Sequence, residues 1–130
     1  MRKILILLVV FVASWDLLWW LAGIRPLSPR SLRNSLERTD HRPVLLDVRT
    51  WPEFVWLHIP EAASHPRLLL HPEDLPPDDA EKPIVVICLS GHRSPLAAYR
   101  LKQRGFKDVS YLAWGMISWL ISGGPTVKGG

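Results

Sequence analysis

A run of four apolar residues, Ile84 to Ile87, stops at the only cysteine of the chain, Cys88, and a helix start follows soon after it. Such a run, rich in β-branched residues, indicates a strand covered on both faces, as in parallel α/β sheets. Ser94 is a good N-cap, Pro95 suits the first helical position, and Gly105 marks the helix end. This segment therefore predicts a strand, a loop and a helix of an α/β fold.

The position of Cys88 predicts a reactive sulfur. A thiolate between a strand and a helix is stabilised by the unpaired N–H groups and the positive dipole end of that helix. Gly91 lets the loop backbone turn its N–H groups inward as a nest, and we expect Arg93 to reach back over the sulfur. The alternative is an inert core cysteine, which fits an isolated Cys better than one followed by this loop.

Several segments, in the right order, resemble the rhodanese superfamily of sulfurtransferases. The loop Cys88–Arg93 is similar to the active-site loop of that family, and Leu45–Arg49 (LLDVR) looks like its "DVR" strand end. The stretch 53–62 (EFVWLHIPEA) resembles the pattern E-[FY]-x-x-G-H-I-P-G-A, and 111–125 is similar to the closing "GG…W…GLP" segment. The resemblance covers residues 27–127. It implies a three-layer α/β fold whose central, mostly parallel sheet is flanked by helices.

Four residues depart from the family pattern. Leu57 and Glu61 replace the glycines that flank His-Ile-Pro, and Trp114 replaces the first glycine of the closing pair. Since glycine supplies unusual dihedral angles in turns, these changes put the local loop shape in doubt. Leu89 stands where many family members carry a basic residue, which weakens the predicted attraction for anions.

The resemblance implies that Cys88 accepts a sulfur atom from thiosulfate, a small anionic donor, or from a persulfide donor, and holds it as a persulfide. Arg93 is the second predicted catalytic residue, as a binder of the anion. The predicted persulfide-binding loop consists of Leu89, Ser90, Gly91, His92 and Ser94. For Ser90 and His92, an ordinary loop position without a role in sulfur binding is an equally good interpretation. Because the chain has no second cysteine, an external thiol or a protein acceptor must take the sulfur.

Other residues are predicted to support the loop. Asp47, Arg49 and Glu53 are expected to form an ionic network below it, and His58 matches a family histidine that we take as structural. The five histidines show no ligand spacing alongside Cys88, so no metal or cofactor is predicted. The net charge is +4, but no basic stripe with interleaved aromatic residues is present, so nucleic acid is not expected as a partner.

The N-terminal segment, residues 1–25, is predicted to be a transmembrane anchor or a signal segment that precedes a single domain of residues 26–130. Ile4 to Ile24 is apolar apart from Ser14 and Asp16, and as a helix it would extend about 32 Å, close to the bilayer hydrocarbon thickness of about 30 Å. We expect an uncleaved anchor because the signal cleavage site is poor. Asp16 is interpreted as a tolerated charge near Trp15, or as a contact to another membrane helix.

Membrane orientation follows only weakly from the flanking charges. Arg2 and Lys3 favour an inside N-terminus, whereas Arg25, Arg30 and Arg33 favour an inside domain. The signal-like start favours an extracytoplasmic catalytic domain, with the cytoplasmic face, or secretion after signal cleavage, as the alternatives.

Two other function classes stay open. One is a catalytically idle rhodanese-like module that binds or senses a partner at the membrane. The other is a cysteine-dependent phosphatase or arsenate reductase, but the phosphatase loop has five residues between Cys and Arg, whereas four separate Cys88 from Arg93. The smaller cradle fits one sulfur atom better than a tetrahedral phosphoryl group.

The remaining elements are predicted from caps and short apolar runs. Ser28 and Pro29 start a helix that ends near Arg38, and strands are expected at 44–47 and 109–112, with a final helix at 116–121. Residues 25–28 are interpreted as a juncture, 53–57 as one helical turn, and the proline-rich segment 63–83 as a surface connection with at most a short helix.

Overall fold

The structure, a computed structural model, describes residues 1–130. Its helices are α1 (Arg2–Leu21), α2 (Pro29–Glu37), α3 (Trp51–Trp56), α4 (Ser94–Gln103) and α5 (Gly115–Ile121). Its strands are β1 (Arg25–Leu27), β2 (Val44–Asp47), β3 (Ala63–Ser64), β4 (Ile84–Ile87) and β5 (Val109–Leu112). Two short 3-10 helices, Pro72–Asp74 and Pro77–Asp79, lie between β3 and β4.

The five strands form one sheet in the order β1-β5-β4-β2-β3, and every pairing is parallel. All four residues of the central strand β4 are buried, as its continuous apolar sequence predicts. The carboxyl ends of parallel strands meet at one edge of the sheet, where α/β proteins bind their ligands. We call this edge, at which β4 leads into Cys88, the Cys88 edge.

Two apolar cores, one on each face of the sheet, make the fold three-layered. Ile84 and Val86 face a core that includes Ala97 and Leu101 of α4. Val85 and Ile87 face the opposite core, to which α2 and α5 contribute Leu32, Met116 and Trp119. The predicted α/β architecture is confirmed, because helices cover both faces of the β4 strand.

Most predicted elements are present, with a few corrections. Ser28 caps α2 by accepting a hydrogen bond from the Ser31 amide at 3.1 Å. The interpretation of residues 25–28 as a juncture was wrong, because they contain the edge strand β1. Pro26 is tolerated in this strand because an edge strand needs fewer N–H donors for its ladder. The segment 63–83 is also more than a surface connection: it holds β3 and buries Leu68 and Leu75.

The residues that replace family glycines adopt two different backbone conformations. Leu57 has φ −164°, which is extended backbone that any residue adopts. Glu61 and Trp114 have φ 72° and 61°, in the left-handed region. Such a conformation costs a side-chain-bearing residue about 1–2 kcal/mol. The turns at these two positions therefore retain glycine-like dihedrals with larger residues.

Helix α1 is long and apolar enough to cross a membrane, and its last turns also pack against the sheet. Trp19 packs on the core shared with α4, and Lys102 Nζ donates to the Gly23 carbonyl at 2.8 Å. The Asp16 carboxylate accepts a hydrogen bond from the hydroxyl of Tyr111 on β5. Neither interpretation of Asp16 from the sequence anticipated this contact with the domain itself.

Candidate active site

Cys88 follows β4 directly and its side chain is fully buried at the floor of the loop. The Gly91 amide donates to Cys88 Sγ at 3.0 Å, and the Ser94 hydroxyl lies 3.4 Å from the same sulfur. An amide donor at this distance favours a negatively charged sulfur. The loop thus supplies two hydrogen-bonding partners to Sγ at the start of α4.

The predicted N-cap at Ser94 is wrong by one position. The N-cap of α4 is Arg93, which makes no side-chain cap, and Ser94 is the first helical residue. The Ser94 hydroxyl is directed instead to the sulfur of Cys88. A residue whose type is typical of a helix cap therefore belongs to the environment of the sulfur.

Two glycines allow the close packing of the loop. Gly91 has φ +79°, and a Cβ added to it would lie 2.5 Å from the Trp114 amide nitrogen. A Cβ on Gly115 would lie 2.2 Å from the carbonyl oxygen of Cys88. Both positions therefore exclude a side chain for reasons of space as well as backbone conformation.

The start of α5 holds the loop from the other side. The Met116 amide donates to the Cys88 carbonyl at 2.9 Å, and the Ile117 amide donates to the Leu89 carbonyl at 3.1 Å. These bonds satisfy first-turn N–H groups of α5 and fix the backbone around the sulfur. Gly115 is not among the predicted site residues, although a glycine directly before the helix predicted at 116–121 was the available signal.

The rim of the loop is aromatic. Ser90 Oγ and His92 Nδ1 share a hydrogen bond at 2.9 Å, so the Ser90 hydroxyl is engaged by histidine rather than by the sulfur. The His92 ring lies 5.4 Å from that of Trp114 and 5.0 Å from that of Trp15 on α1, between centroids. Trp15 Nε1 also donates to the Gly91 carbonyl at 3.1 Å. A residue of α1 therefore contacts the loop after Cys88 directly.

The sequence predicts that Arg93 reaches back over the sulfur, but in the structure Arg93 pairs with Glu53 and makes no hydrogen bond to Sγ. Its guanidinium is 3.6 Å from Glu53 Oε2 and is partly exposed. Thr50 donates its hydroxyl to the other Glu53 oxygen at 2.9 Å. Glu53 consequently pairs with Arg93 beside the loop, and it makes no bond to Asp47 or Arg49.

Asp47 and Arg49 form a buried ion pair at the end of β2. Arg49 Nη2 donates to Asp47 Oδ2 at 2.8 Å and to the Leu57 carbonyl at 2.7 Å, so it ties β2 to the turn after α3. The buried ring of His58 donates through Nδ1 to the Phe54 carbonyl at 2.9 Å and stacks on the Phe54 ring. Neither group makes a hydrogen bond to Cys88 Sγ, and both bind partners within residues 47–58.

Tyr111 lies below the loop in the same core as Cys88. Burial, and secondarily the hydrogen bond to Asp16, raise the pKa of its hydroxyl above the usual value. The hydroxyl therefore stays protonated and acts as a donor to Asp16. It completes a chain of contacts from α1 to the core that surrounds Cys88.

The family model of the rhodanese-like domain matches residues 28–122. The chain belongs to the rhodanese-like domain family. An uncharacterised protein of Synechocystis, slr1261, is 35% identical over 102 residues, which are 78% of this chain and 55% of that protein. The chain thus spans about half the length of this relative.

Two further relatives match this rhodanese-like domain over most of their own length. The putative sulfurtransferase YtwF of Bacillus subtilis is 35% identical over 96 residues, covering 74% of this chain and 90% of that protein. The crystal structure of a rhodanese-related protein from Thermoplasma volcanium is 27% identical, with a TM-score of 0.66, and covers 79% of this chain and 97% of that chain. These findings confirm the predicted family.

Proposed function

We propose that this rhodanese-like domain is a sulfurtransferase that carries sulfane sulfur on Cys88. The observation that supports the proposal best is the position of Cys88 Sγ, which lies 3.0 Å from the Gly91 amide at the entry to α4. The amide is a fixed donor for a thiolate and for the inner sulfur of a persulfide. The family membership and the relative named as a putative sulfurtransferase, YtwF, support the same function.

The proposed reaction has two displacement steps. The Cys88 thiolate attacks the outer sulfur of thiosulfate; a new S–S bond forms, the donor's S–S bond breaks, and sulfite leaves with the bond electrons. An acceptor thiolate, which the chain itself does not supply, then attacks the outer sulfur of the persulfide. The S–S bond to Cys88 breaks, and the Cys88 thiolate is regenerated.

Arg93 is proposed to bind the anionic donor by leaving Glu53. The pair is separated by 3.6 Å, a distance without a close hydrogen bond, and both side chains are partly exposed. Such a pair contributes little to stability, so its guanidinium is available for an incoming anion. Because Cys88 Sγ has no exposed surface, part of the loop must also move for the donor to reach it.

The test is the mass of the full chain after treatment with thiosulfate, with Cys88→Ser as the matched control. We expect the wild-type chain to gain one sulfur atom and to lose it on addition of cyanide, with thiocyanate released. The Cys88→Ser chain should gain nothing. Absence of an adduct in the wild-type chain would favour the idle binding module. Hydrolysis of an aryl phosphate in its place would favour the phosphatase.

We further infer that α1 is an uncleaved membrane anchor and that the catalytic domain lies on the extracytoplasmic side. The apolar character of Arg2–Leu21 supports the anchor, and the signal-like basic start supports the orientation. Protease treatment of sealed vesicles tests both. Digestion of the domain only from the extracytoplasmic side is expected; protection from that side would contradict the orientation, and a chain that leaves the membrane in carbonate washes would contradict the anchor.

A further inference from the structure

Helices α1 and α4 run side by side in the same direction. Trp15 contacts Gly91 and His92 just before α4, Trp19 packs near Tyr99 in its middle, and Gly23 meets Lys102 near its end. Because α4 begins at the Cys88 edge, the part of α1 before Trp15 extends beyond that edge. No residue of this part is buried.

The length of the free part is too short for a membrane span. Its apolar stretch begins after the charged residues Arg2 and Lys3, and Ile4 to Ser14 covers about 16 Å as a helix, whereas the bilayer hydrocarbon core measures about 30 Å. The shortfall is about 14 Å. To fill the core without thinning the bilayer, the turns of α1 that pack on the domain must also enter the membrane.

The surface around those turns suits such an entry. On the side of α1 that faces away from the sheet, Leu17, Leu18, Trp20 and Leu21 are exposed. At the Cys88 edge, Leu89 and Ile117 are 42% and 45% exposed, and the Ile117 amide donates to the Leu89 carbonyl. Trp15, Trp19 and Trp20 supply the aromatic residues that are typical of a membrane–water interface.

We propose that the Cys88 edge lies on the bilayer surface, with Leu89 and Ile117 as lipid contacts beside Cys88. The inference rests on the proposed anchor and adds a direction to it: the site opens toward the membrane plane. The sulfur acceptor is then a thiol presented at the lipid surface. In this arrangement Leu89, which replaces a basic residue of many family members, serves as an interfacial residue.

The depth of single spin labels in vesicles tests this orientation. In a full chain whose Cys88 is replaced by Ser, one cysteine is introduced at a time through Val9→Cys, Leu89→Cys or Glu81→Cys. Glu81 precedes β4 and is 74% exposed, so it is the matched control at the opposite end of the strand that leads to Leu89. The vesicles consist of phosphatidylcholine and phosphatidylglycerol, and the accessibilities of each label to oxygen and to a water-soluble nickel complex are compared.

We expect the label at Val9 to be more accessible to oxygen and the label at Glu81 to be more accessible to the nickel complex. The label at Leu89 should be more accessible to oxygen, and less accessible to nickel, than the label at Glu81. A label at Ile117→Cys, outside the loop, should shift in the same way even if the loop tolerates substitution poorly. Equal nickel accessibility at Leu89, Ile117 and Glu81 with a lipid-buried Val9 would overturn the orientation and leave the anchor intact. Nickel accessibility at Val9 as well would overturn both. Sulfur loading of the unlabelled wild-type chain is measured separately, so a failure of sulfur transfer is distinguished from either result.

Discussion

The ends of two neighbouring strands, β2 and β4, differ in their polar contacts, and the proposed function assigns structural support to one and chemistry to the other. Both strands are buried and parallel, and each leads into a helix at the Cys88 edge. After β2, Arg49 donates to the Asp47 carboxylate through Nε and Nη2, and the pair is almost fully buried. After β4, the Cys88 sulfur has one backbone donor and one hydroxyl neighbour.

The difference lies in how fully each polar group is satisfied. The Asp47–Arg49 pair has its charges and hydrogen bonds matched within the scaffold, and breaking such a pair leaves an uncompensated charge. The sulfur of Cys88 lies among donors that suit an anion but has no charged partner in contact. One strand end is therefore expected to govern stability and the other reactivity.

Removal of Arg49 should give the largest effect, on the free energy of unfolding. In Arg49→Met the buried Asp47 carboxylate loses its partner, which we expect to lower stability by about 3–5 kcal/mol. Urea unfolding of the full chain in detergent, followed by circular dichroism, measures the loss. The rate of persulfide formation per folded molecule should remain close to that of the wild type.

The double variant Asp47→Ala/Arg49→Met is the control for this prediction. Because it leaves no unpaired charge, it should be more stable than Arg49→Met alone. If the single variant were as stable as wild type, or if it abolished sulfur loading while folded, the division between the two strand ends would be wrong.

At the end of β4, the prediction concerns the rate of sulfur loading. In Gly91→Ala the new Cβ meets the Trp114 backbone, so the Gly91 amide must move away from Sγ. A displacement of about 1 Å in a reacting site can lower a rate about 100-fold. Quenched-flow measurement of persulfide formation from thiosulfate tests this value.

Gly105→Ala provides a matched control, because Gly105 also has a positive φ, +99°, but nothing lies within 4 Å of an added Cβ. Its backbone strain should lower stability without slowing sulfur loading of the folded chain. Equal loading rates for the Gly91 and Gly105 variants would indicate that the close approach to Trp114 has no role in the chemistry.

The contact of α1 with the loop should have a smaller effect. Trp15→Phe keeps an aromatic ring near His92 but removes the N–H donor to the Gly91 carbonyl. A net hydrogen bond is worth about 0.5–1.5 kcal/mol, so we expect loading to slow about two- to tenfold. Trp20→Phe on the same helix, at a position 57% exposed, should load at the wild-type rate. An unchanged rate in Trp15→Phe would show that α1 does not position the loop.

Tyr111 should influence stability only in alkaline solution. Its folded-state pKa is raised by burial and by Asp16, so below pH about 10 both the folded and unfolded states keep the proton. Above that pH the unfolded chain loses the proton while the folded chain retains it, and stability falls by up to about 1.4 kcal/mol per pH unit. In Tyr111→Phe, this contribution to the decrease of stability with pH should be absent. Parallel slopes for both chains in unfolding measured between pH 9 and 11 would contradict the shift.

Much of the fold could be predicted because its signals are local. Four apolar residues in β4, the Ser28 cap and the Gly105 stop each act within a few residues, and the structure contains the expected elements. β1 and β3 were missed because strands of three and two residues carry too few positions to show a pattern. They form only because neighbouring strands offer them hydrogen-bond partners.

The site was less predictable because its partners are distant in the chain. The loop and its helix could be identified, but whether Arg93 would meet the sulfur or Glu53 depends on α3, which lies about 40 residues earlier. Trp15 and Asp16 are typical of an interrupted membrane segment, and nothing near them in the sequence indicates the contacts with Gly91 and Tyr111. Tertiary packing decides these pairings.

The most direct test of sulfur transfer through Cys88 is a single turnover of the full chain with thiosulfate whose outer sulfur is isotopically labelled. Each chain should release one sulfite while the label appears on Cys88, and addition of a thiol should then move the label to that thiol. Release of sulfite without label on Cys88, or transfer of label that survives in Cys88→Ser, would contradict a sulfur-carrying role for Cys88.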